Sequence, residues 1–380
     1  MSPVLRPGNR SISATRALSL SLLLIIGAVS SGKAQDIEFF RIGTGSTSGT
    51  YFPIGGLIAA AMSNPPGSRT CGEGGSCGVS GLIAVAQSTN GSVANVKAIQ
   101  KGEIESGFSQ SDVAYWAYNA QQEFAESGPA AKLRAIANLY PESLHLVVSE
   151  SAAVFTPSQL KGKRISLDRE GSGTRVDTLL VLEAYGLKES DMEALALPPG
   201  VAADRLALGE IDGFFLVAGT PAEAVTQLAA TSRIGLVPIT GEPAEKLLKA
   251  YPFFSQDFIS PGTYPNVGAV ETISVGAQWL VSSDVSDDLV YQLTKALWHE
   301  NTKRLLGGGH PKGALIRIET ALAGLSVPLH AGAERYYREI GVLDDALMEN
   351  LPKVLPPQES GSQDGEPKPA GVIPKEKPEG

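Results

Sequence analysis

The sequence predicts an α/β protein of two similar lobes facing a shared cleft, and three observations carry that expectation. Short apolar stretches alternate with helix-length segments, which indicates βαβ units and a largely parallel sheet. One run of residues recurs: Gly102-Glu103-Ile104-Glu105 leads into Ser106-Gly107-Phe108, and Gly209-Glu210-Ile211-Asp212 leads into Gly213-Phe214-Phe215. Each copy follows a glycine-rich loop and a helix-like stretch. After the second copy, a strand pattern at 275–281 and helical apolar stripes at 289–306 and 331–340 return the chain to the first lobe. Two lobes joined by crossing strands form a hinge that can close on a small molecule.

In chain order, residues 37–42 read as an apolar strand and 43–49 as a Gly/Thr/Ser loop. Residues 50–62 read as a helix, with Pro53 tolerated in its first turn. Residues 82–86 read as a strand and 92–99 as a helix capped by Ser92. A strand follows at 104–108, then a helix at 111–121 with Ser111 or Asp112 at its cap. The second half repeats the scheme with a strand at 164–167, a loop at 171–174 and a helix at 175–185. A glycine-rich insertion at 65–81 accounts for most of the longer spacing in the first copy.

The 380 residues, 43% hydrophobic and 19% charged, suffice for two domains, each with its own core. With 31 basic against 40 acidic residues, a sequence-independent grip on nucleic acid is not expected. The first 34 residues read as a secretory signal. Arg6, Arg10 and Arg16 form a basic leader, and residues 17–29 form an uncharged apolar run too short for comfortable membrane spanning. Gly32-Lys33-Ala34 then offers small side chains for cleavage before Gln35. An uncleaved anchor is the competing reading; no lipid-acceptor cysteine follows the run. No other segment approaches about 18 uninterrupted apolar residues. The mature chain is therefore expected to be exported and periplasmic, soluble and more acidic than the full chain, whose net charge is −9. From Pro352 onward, prolines alternate with Glu, Lys, Gly and Ser. Such a composition buries too little apolar surface to offset its ordering entropy, so 352–380 is expected to be a disordered tail.

Three loops offer backbone N–H groups and hydroxyls at helix starts, where the helix dipole favours an anion. They are Gly43-Thr44-Gly45-Ser46-Thr47-Ser48-Gly49 with Tyr51 behind it, Thr89-Asn90-Gly91-Ser92, and Gly171-Ser172-Gly173-Thr174-Arg175. Gln110-Ser111-Asp112 adds an amide, a hydroxyl and a carboxylate after the third strand. Any one such loop is ordinary βα punctuation. Several at the ends of successive strands point into one crevice. Arg175 is the one cation in these loops and is suited to fork onto a carboxylate. Asp112 is placed to meet an amine or to cap its own helix. The first loop nearly fits the dinucleotide fingerprint, but its third glycine comes one residue late.

Signals for an enzyme are weak, and no cofactor or metal is expected. Gly74-Gly75-Ser76-Cys77-Gly78 spells G-x-S-x-G inside a glycine-rich insertion and not at a strand–turn–helix elbow. His145, His299, His310 and His330 show no metal-binding spacing. Cys71 and Cys77 bracket a short loop, and in an oxidising compartment a local disulfide is the natural reading. A redox-active pair is the alternative, although the spacing is not C-x-x-C and no basic neighbour lowers a thiol pKa.

Taken together, IGTGSTSGTYFPIGG at 42–56, STNGSVANV at 88–96, FSQSDVAYWAY at 108–118, GSGTRVDTLLVLEAYG at 171–186, GEIDGFFLVAGTP at 209–221 and PLHAGAERYYREIG at 328–341 resemble the TAXI family. These are the solute receptors of tripartite ATP-independent periplasmic (TRAP) transporters. The resemblance implies a two-lobed periplasmic-binding-protein fold of type II topology with the ligand cleft between its lobes. Lobe 1 would take 35–149, lobe 2 150–272, and 273–351 would return to lobe 1. It also implies partners, large and small TRAP membrane subunits, separate or fused, and a small carboxylate as solute, a glutamate-like amino acid or a dicarboxylate. By the same resemblance the ligand sits among Thr44, Ser46, Tyr51, Asn90, Ser92, Gln110, Ser111, Ser172, Thr174 and the Ala218-Gly219 turn, with Gly45, Gly91 and Gly173 beside them. A sensory binding protein that addresses a membrane kinase is the alternative role; an exported enzyme is a weaker one.

Overall fold

A computed structural model describes residues 37–354. The expected signal segment and the expected tail past Val354 lie outside the described residues. The first lobe opens with β1 (Glu38–Gly43), α1 (Tyr51–Met62), β2 (Ser63–Asn64), β3 (Val79–Ser80) and β4 (Leu82–Gln87). It continues with α2 (Ser92–Lys101), β5 (Ser106–Gln110) and α3 (Ser111–Tyr118). A long strand, β6 (Leu133–Ser149), leads into β7 (Arg164–Ser166), α4 (Gly173–Ala184), β8 (Glu193–Leu195), α5 (Pro199–Ala207) and β9 (Gly213–Ala218). Next come α6 (Glu223–Thr231), β10 (Ile234–Leu236), α7 (Gly241–Ala250) and β11 (Ser255–Ile259). A second long strand, β12 (Val270–Ser282), is followed by α8 (Asp287–Leu297), α9 (Glu300–Gly309), α10 (Ala331–Glu339) and α11 (Asp345–Glu349).

The strand order explains the two lobes. In the first, β4-β1-β5-β12-β6 are neighbours; in the second, β8-β7-β9-β6-β10. Each lobe thus places its second, first and third strands side by side and parallel, and then admits a crossing strand antiparallel to the third. This is the type II arrangement. The crossing strands are β6, which at 17 residues extends about 55 Å, and β12, which pairs with it from Ser274 to Ser282. Buried apolar side chains separate accordingly. One cluster holds Phe40, Ile54, Trp116, Tyr140, Trp279 and Tyr337. Two others, built around Leu146, Ile165 and Val181 and around Phe214 and Val225, lie on the two faces of the second lobe's sheet. The cores part between Tyr140 and Leu144 on β6 and between Val275 and Ala277 on β12. The sequence reading placed these borders a few residues away, at 149 and 272, because it did not recognise β6 as a strand shared by both lobes.

The internal echo has a structural counterpart. Gly102 and Gly209 both take φ +73°, a left-handed conformation open to glycine at little cost, and each ends its helix by donating to the carbonyl three residues back. The acids that follow do the same work twice. Glu105 accepts from the backbone N–H of Arg41 at 2.7 Å and pairs with its guanidinium, and Asp212 does so for Arg164 at 2.8 Å. In each lobe an acid at the start of the third strand thereby fixes the first strand beside it.

Three local expectations change. The first helix of the second βα unit, α2, has Gly91 (φ +115°) at its N-cap, and Ser92 is its first residue. Helix α3 makes no side-chain cap bond from Ser111 or Asp112, and its preceding residue Gln110 is extended. It also stops at Tyr118, where Asn119 turns back to the Tyr115 carbonyl and Ala120 takes φ +53°. The G-x-S-x-G run lies in a loop in which Ser76 Oγ donates to the Ser63 carbonyl, so its hydroxyl holds the loop in place.

Candidate functional site

The C-terminal ends of β1, β4, β5, β7 and β9 and the helices that follow them converge on a small cavity of about 50 Å³ between the lobes. Gly45, Ser46, Tyr51, Asn90, Gly91, Ser92 and Gln110 line it from the first lobe, and Ser172, Gly173, Thr174 and Ala218 from the second. These residues come together as the sequence reading expected. The start of α4 shows how the loop is set. Ser172 Oγ caps the helix by accepting from Arg175 N at 3.1 Å, and Thr174 Oγ1 accepts from Val217 N at 3.0 Å, tying the helix start to β9. On the other side Ser92 Oγ accepts from Gln110 N at 3.1 Å and donates to Gln110 Oε1 at 3.2 Å, so its hydroxyl serves β5 and not its own helix.

Five expected residues lie elsewhere. Thr44 donates its hydroxyl to the Gln87 carbonyl at 2.7 Å and is fully buried, so it fixes the first loop to β4. Ser111 accepts from Gly276 N at 3.3 Å and lines a different groove. Asp112 is buried beneath the cleft floor, facing Asp177 of α4. Gly219 offers its carbonyl to Thr50 Oγ1 at 2.6 Å, a lobe-to-lobe contact. Arg175, expected as the cleft's cation, is turned away: its Nη2 lies 2.9 and 3.0 Å from the two Glu189 carboxylate oxygens, in the second lobe. Helical spacing gives the reason, since Ser172 and Gly173 face the cavity while the side chain at 175 projects from another side of the helix.

The cleft's cation is instead Arg169, and its acids are Glu142 and Asp168; the sequence reading found none of the three. Arg169 Nη2 reaches the Thr89 carbonyl across the cleft at 3.4 Å, and its buried Nε has no partner. Asp168, in a left-handed conformation (φ +66°), accepts from Arg169 N at 2.8 Å. Burial raises its pKa to about 6, with the Arg169 backbone N–H acting in the opposite direction. Glu142 sits on β6, where it passes between the lobes, and accepts from Tyr51 Oη at 2.6 Å. Burial raises its pKa to about 8, against the Tyr51 hydrogen bond and the Lys312 charge. A signal for Asp168 and Arg169 was present: they directly follow the strand at 164–167, and side chains at parallel strand ends face the crevice. For Glu142 none was visible, because an acid after Pro141 in an unassigned strand reads as a turn.

The lobes meet across the cleft. Asn90 Nδ2 donates to the Glu170 carbonyl at 3.1 Å, Ala94 N to the Gly171 carbonyl at 3.0 Å, and Ala224 N to the Ser48 carbonyl at 3.0 Å. Deeper in, Gln110 Nε2 donates to Asp177 Oδ2 at 2.5 Å. At the side of the hinge, Tyr115 packs on Phe253 with ring centres 4.8 Å apart.

Away from the cleft, Cys71 and Cys77 form the disulfide, with Cα atoms 4.7 Å apart. The fold also brings His299 to them from far along the chain, its Nε2 3.9 Å from Cys71 Sγ. The disulfide thus has an imidazole beside it as well as Arg69 two residues before Cys71. Together Cys71, Cys77 and His299 are metal-ligand types in one cluster. The sulfurs are joined, however, and His299 Nδ1 accepts from Asn301 N at 3.1 Å, which puts the ring proton on the nitrogen facing sulfur.

A family model described as the NMT1-like family matches residues 42–341. Among solved structures, the chain is similar to the periplasmic aliphatic sulphonate binding protein SsuA from Escherichia coli, at 13% identity over 88% of this chain and 98% of that one, with a TM-score of 0.40. It is similar to the alkanesulfonate-binding protein SsuA from Xanthomonas axonopodis pv. citri bound to MOPS, at 18% identity over 83% of each chain, with a TM-score of 0.42. A third is PhnD1 from Prochlorococcus marinus in complex with methylphosphonate, at 10% identity over 80% of this chain and 99% of that one, with a TM-score of 0.46.

Proposed function

The chain belongs to the NMT1-like family, whose model spans most of its length, and from that premise we propose that it is a periplasmic solute receptor that closes on a small carboxylate. It binds without bond chemistry and hands its solute to membrane subunits. The motifs that resemble the TAXI receptors support the finer reading, delivery to TRAP membrane subunits and uptake driven by an ion gradient.

The single observation that carries the carboxylate is Arg169: a half-buried guanidinium whose buried Nε has no partner, beside the glycine-rich start of α4. A carboxylate there satisfies the guanidinium and meets the positive end of the helix. Glu142 and Asp168 narrow the class. Two acids lining the same small cavity favour an ammonium group beside them, which would draw Glu142 into its ionised form. The solute is thus a glutamate-like amino acid in preference to a dicarboxylate.

Isothermal titration of the mature chain with L-glutamate, L-glutamine, 2-oxoglutarate and succinate tests this. L-Glutamate should bind at least tenfold more tightly than 2-oxoglutarate, which has the same skeleton without the ammonium. Tighter binding of 2-oxoglutarate would mean that Glu142 does not receive an ammonium group. Binding of none of the four would overturn the carboxylate reading.

A further inference from the structure

We propose that closing the two lobes builds a proton-binding site between Asp112 and Asp177, so that the closed receptor holds one proton more than the open one. Asp112 lies on α3 in the first lobe and Asp177 on α4 in the second, so the pair exists only while the lobes are together. Both residues are 0% exposed. Their carboxyls face each other within hydrogen-bonding reach. Yet among the described residues no well-formed hydrogen bond reaches Asp112 Oδ1, Asp112 Oδ2 or Asp177 Oδ1; the backbone N–H groups of Asp112 and Val113 act on the Asp112 carboxyl, and the side-chain donor to the pair is Gln110 Nε2 on Asp177 Oδ2.

Two ionised carboxylates have no hydrogen to share. With one proton between them, one carboxyl becomes an O–H donor and the other its acceptor, and the arrangement turns from repulsive to bonded. The surroundings sharpen the need. The charged groups acting on the pair from packed elements are acids: Glu142 of β6 on both, and Glu123 of the turn Gln122–Phe124 on Asp112. Lys97 of α2 sits over the Phe124 ring near Glu123, and Arg175 of α4 is engaged by Glu189. Burial, the largest cause for each, raises both pKa values, that of Asp177 well above the ordinary range. When the lobes part, both carboxyls return to water and to about 3.9. Closure near neutral pH therefore takes one proton from solvent, and above the pKa of the closed pair it weakens up to tenfold per pH unit.

The test needs no solute and so stands apart from the carboxylate reading. Small-angle scattering of the full mature chain is recorded at pH 5.5 and 8.5, with and without sodium, for the native protein, Asp112→Asn and Asp177→Asn. Circular dichroism confirms that each is folded, and either folded variant suffices. The native chain should expand on going to pH 8.5 by about 1 Å in radius of gyration, the scale of a hinge opening in a protein of this size. The asparagine variants, which hydrogen-bond without titrating, should stay compact at both values. Glu142→Gln should still expand, separating the pair from the other raised carboxyl. A native chain of one size at both pH values, or a variant that expands as the native chain does, would overturn the proposal. Compaction that follows sodium at fixed pH would overturn it in favour of a cation held by the same oxygens.

Discussion

Tyr51 Oη donates to Glu142 Oε2 at 2.6 Å, joining the first turn of α1 to the strand that crosses between the lobes. Both groups are buried, and each perturbs the other. The bond lowers the Glu142 pKa against the larger effect of burial, while burial first and Glu142 second raise that of Tyr51. The first glycine loop is thus aligned with the hinge through a polar contact inside the cavity.

Removing that hydroxyl tests the alignment. Tyr51→Phe leaves Glu142 Oε2 without its donor while keeping the ring packed edge-on against Phe108. A buried hydrogen bond of this kind is worth about 1 kcal/mol net. L-Glutamate affinity should fall about fivefold by titration calorimetry, with little change in melting temperature. An unchanged affinity would show that the pair serves only the apo fold.

Arg169 and Arg175 should separate cleanly. Arg169→Ala removes the cation of the cleft, and a charge-assisted contact to a carboxylate contributes about 1.5–3 kcal/mol, so affinity should fall about 10- to 100-fold. Arg175→Ala breaks a partly exposed pair with Glu189, which costs at most about 1 kcal/mol of stability. Its affinity should stay within twofold. The reverse pattern would restore Arg175 as the anchor.

Glu142 also gives the protein a pH signature. Its folded pKa of about 8 lies above its ordinary value of 4.5, so the folded state holds a proton that the unfolded state releases first. Its contribution to stability is complete below pH 4.5 and declines as pH rises toward 8. Thermal melts of Glu142→Gln between pH 5 and 8 should therefore slope downward less steeply than those of the native chain. Part of the slope should survive, because Asp112 and Asp177 are shifted in the same direction. Parallel curves would mean that Glu142 is ionised in the folded protein.

The Cys71–Cys77 bridge closes a short loop, for which chain entropy gives about 2 kcal/mol. Reduction, or Cys71→Ser with Cys77→Ser, should lower the melting temperature by a few degrees and leave affinity within twofold, since neither cysteine lines the cavity. A large loss of affinity would instead tie the insertion to the first ligand loop.

Local signals and long-range ones differed sharply in how far the sequence revealed them. Helix starts, glycine loops and the repeated Gly-Glu-Ile-acid run are read over a few residues, and the elements they predict are present. Asp168 and Arg169 had such a local signal and were passed over; the other failures share one cause. Glu142, the Arg175–Glu189 pair and the His299 contact with Cys71 depend on partners or strand crossings that no local window contains. Ser92 shows the same limit on a smaller scale: its spacing suits an N-cap, but Gly91 takes the cap and the serine hydroxyl is claimed by Gln110 from the next strand.

Gly173 offers the most direct test of closure itself. It begins α4 in the second lobe, and a Cβ there would lie 1.3 Å from Gln110 Oε1 and 2.9 Å from Ser92 Oγ, both in the first lobe. The Gln110 side chain cannot simply swing aside, because it is buried, bonded to Ser92 and donating to Asp177 Oδ2. Within its own lobe the position is helical, and alanine favours a helix over glycine by about 1 kcal/mol. Gly173→Ala should therefore fold as well as the native chain, yet resist closing. Its L-glutamate affinity should fall at least tenfold, and scattering should show an expanded particle even at pH 5.5, where the native chain is compact. A variant that binds and compacts normally would mean that Gln110 repacks, and that the contact between these two residues does not control closure.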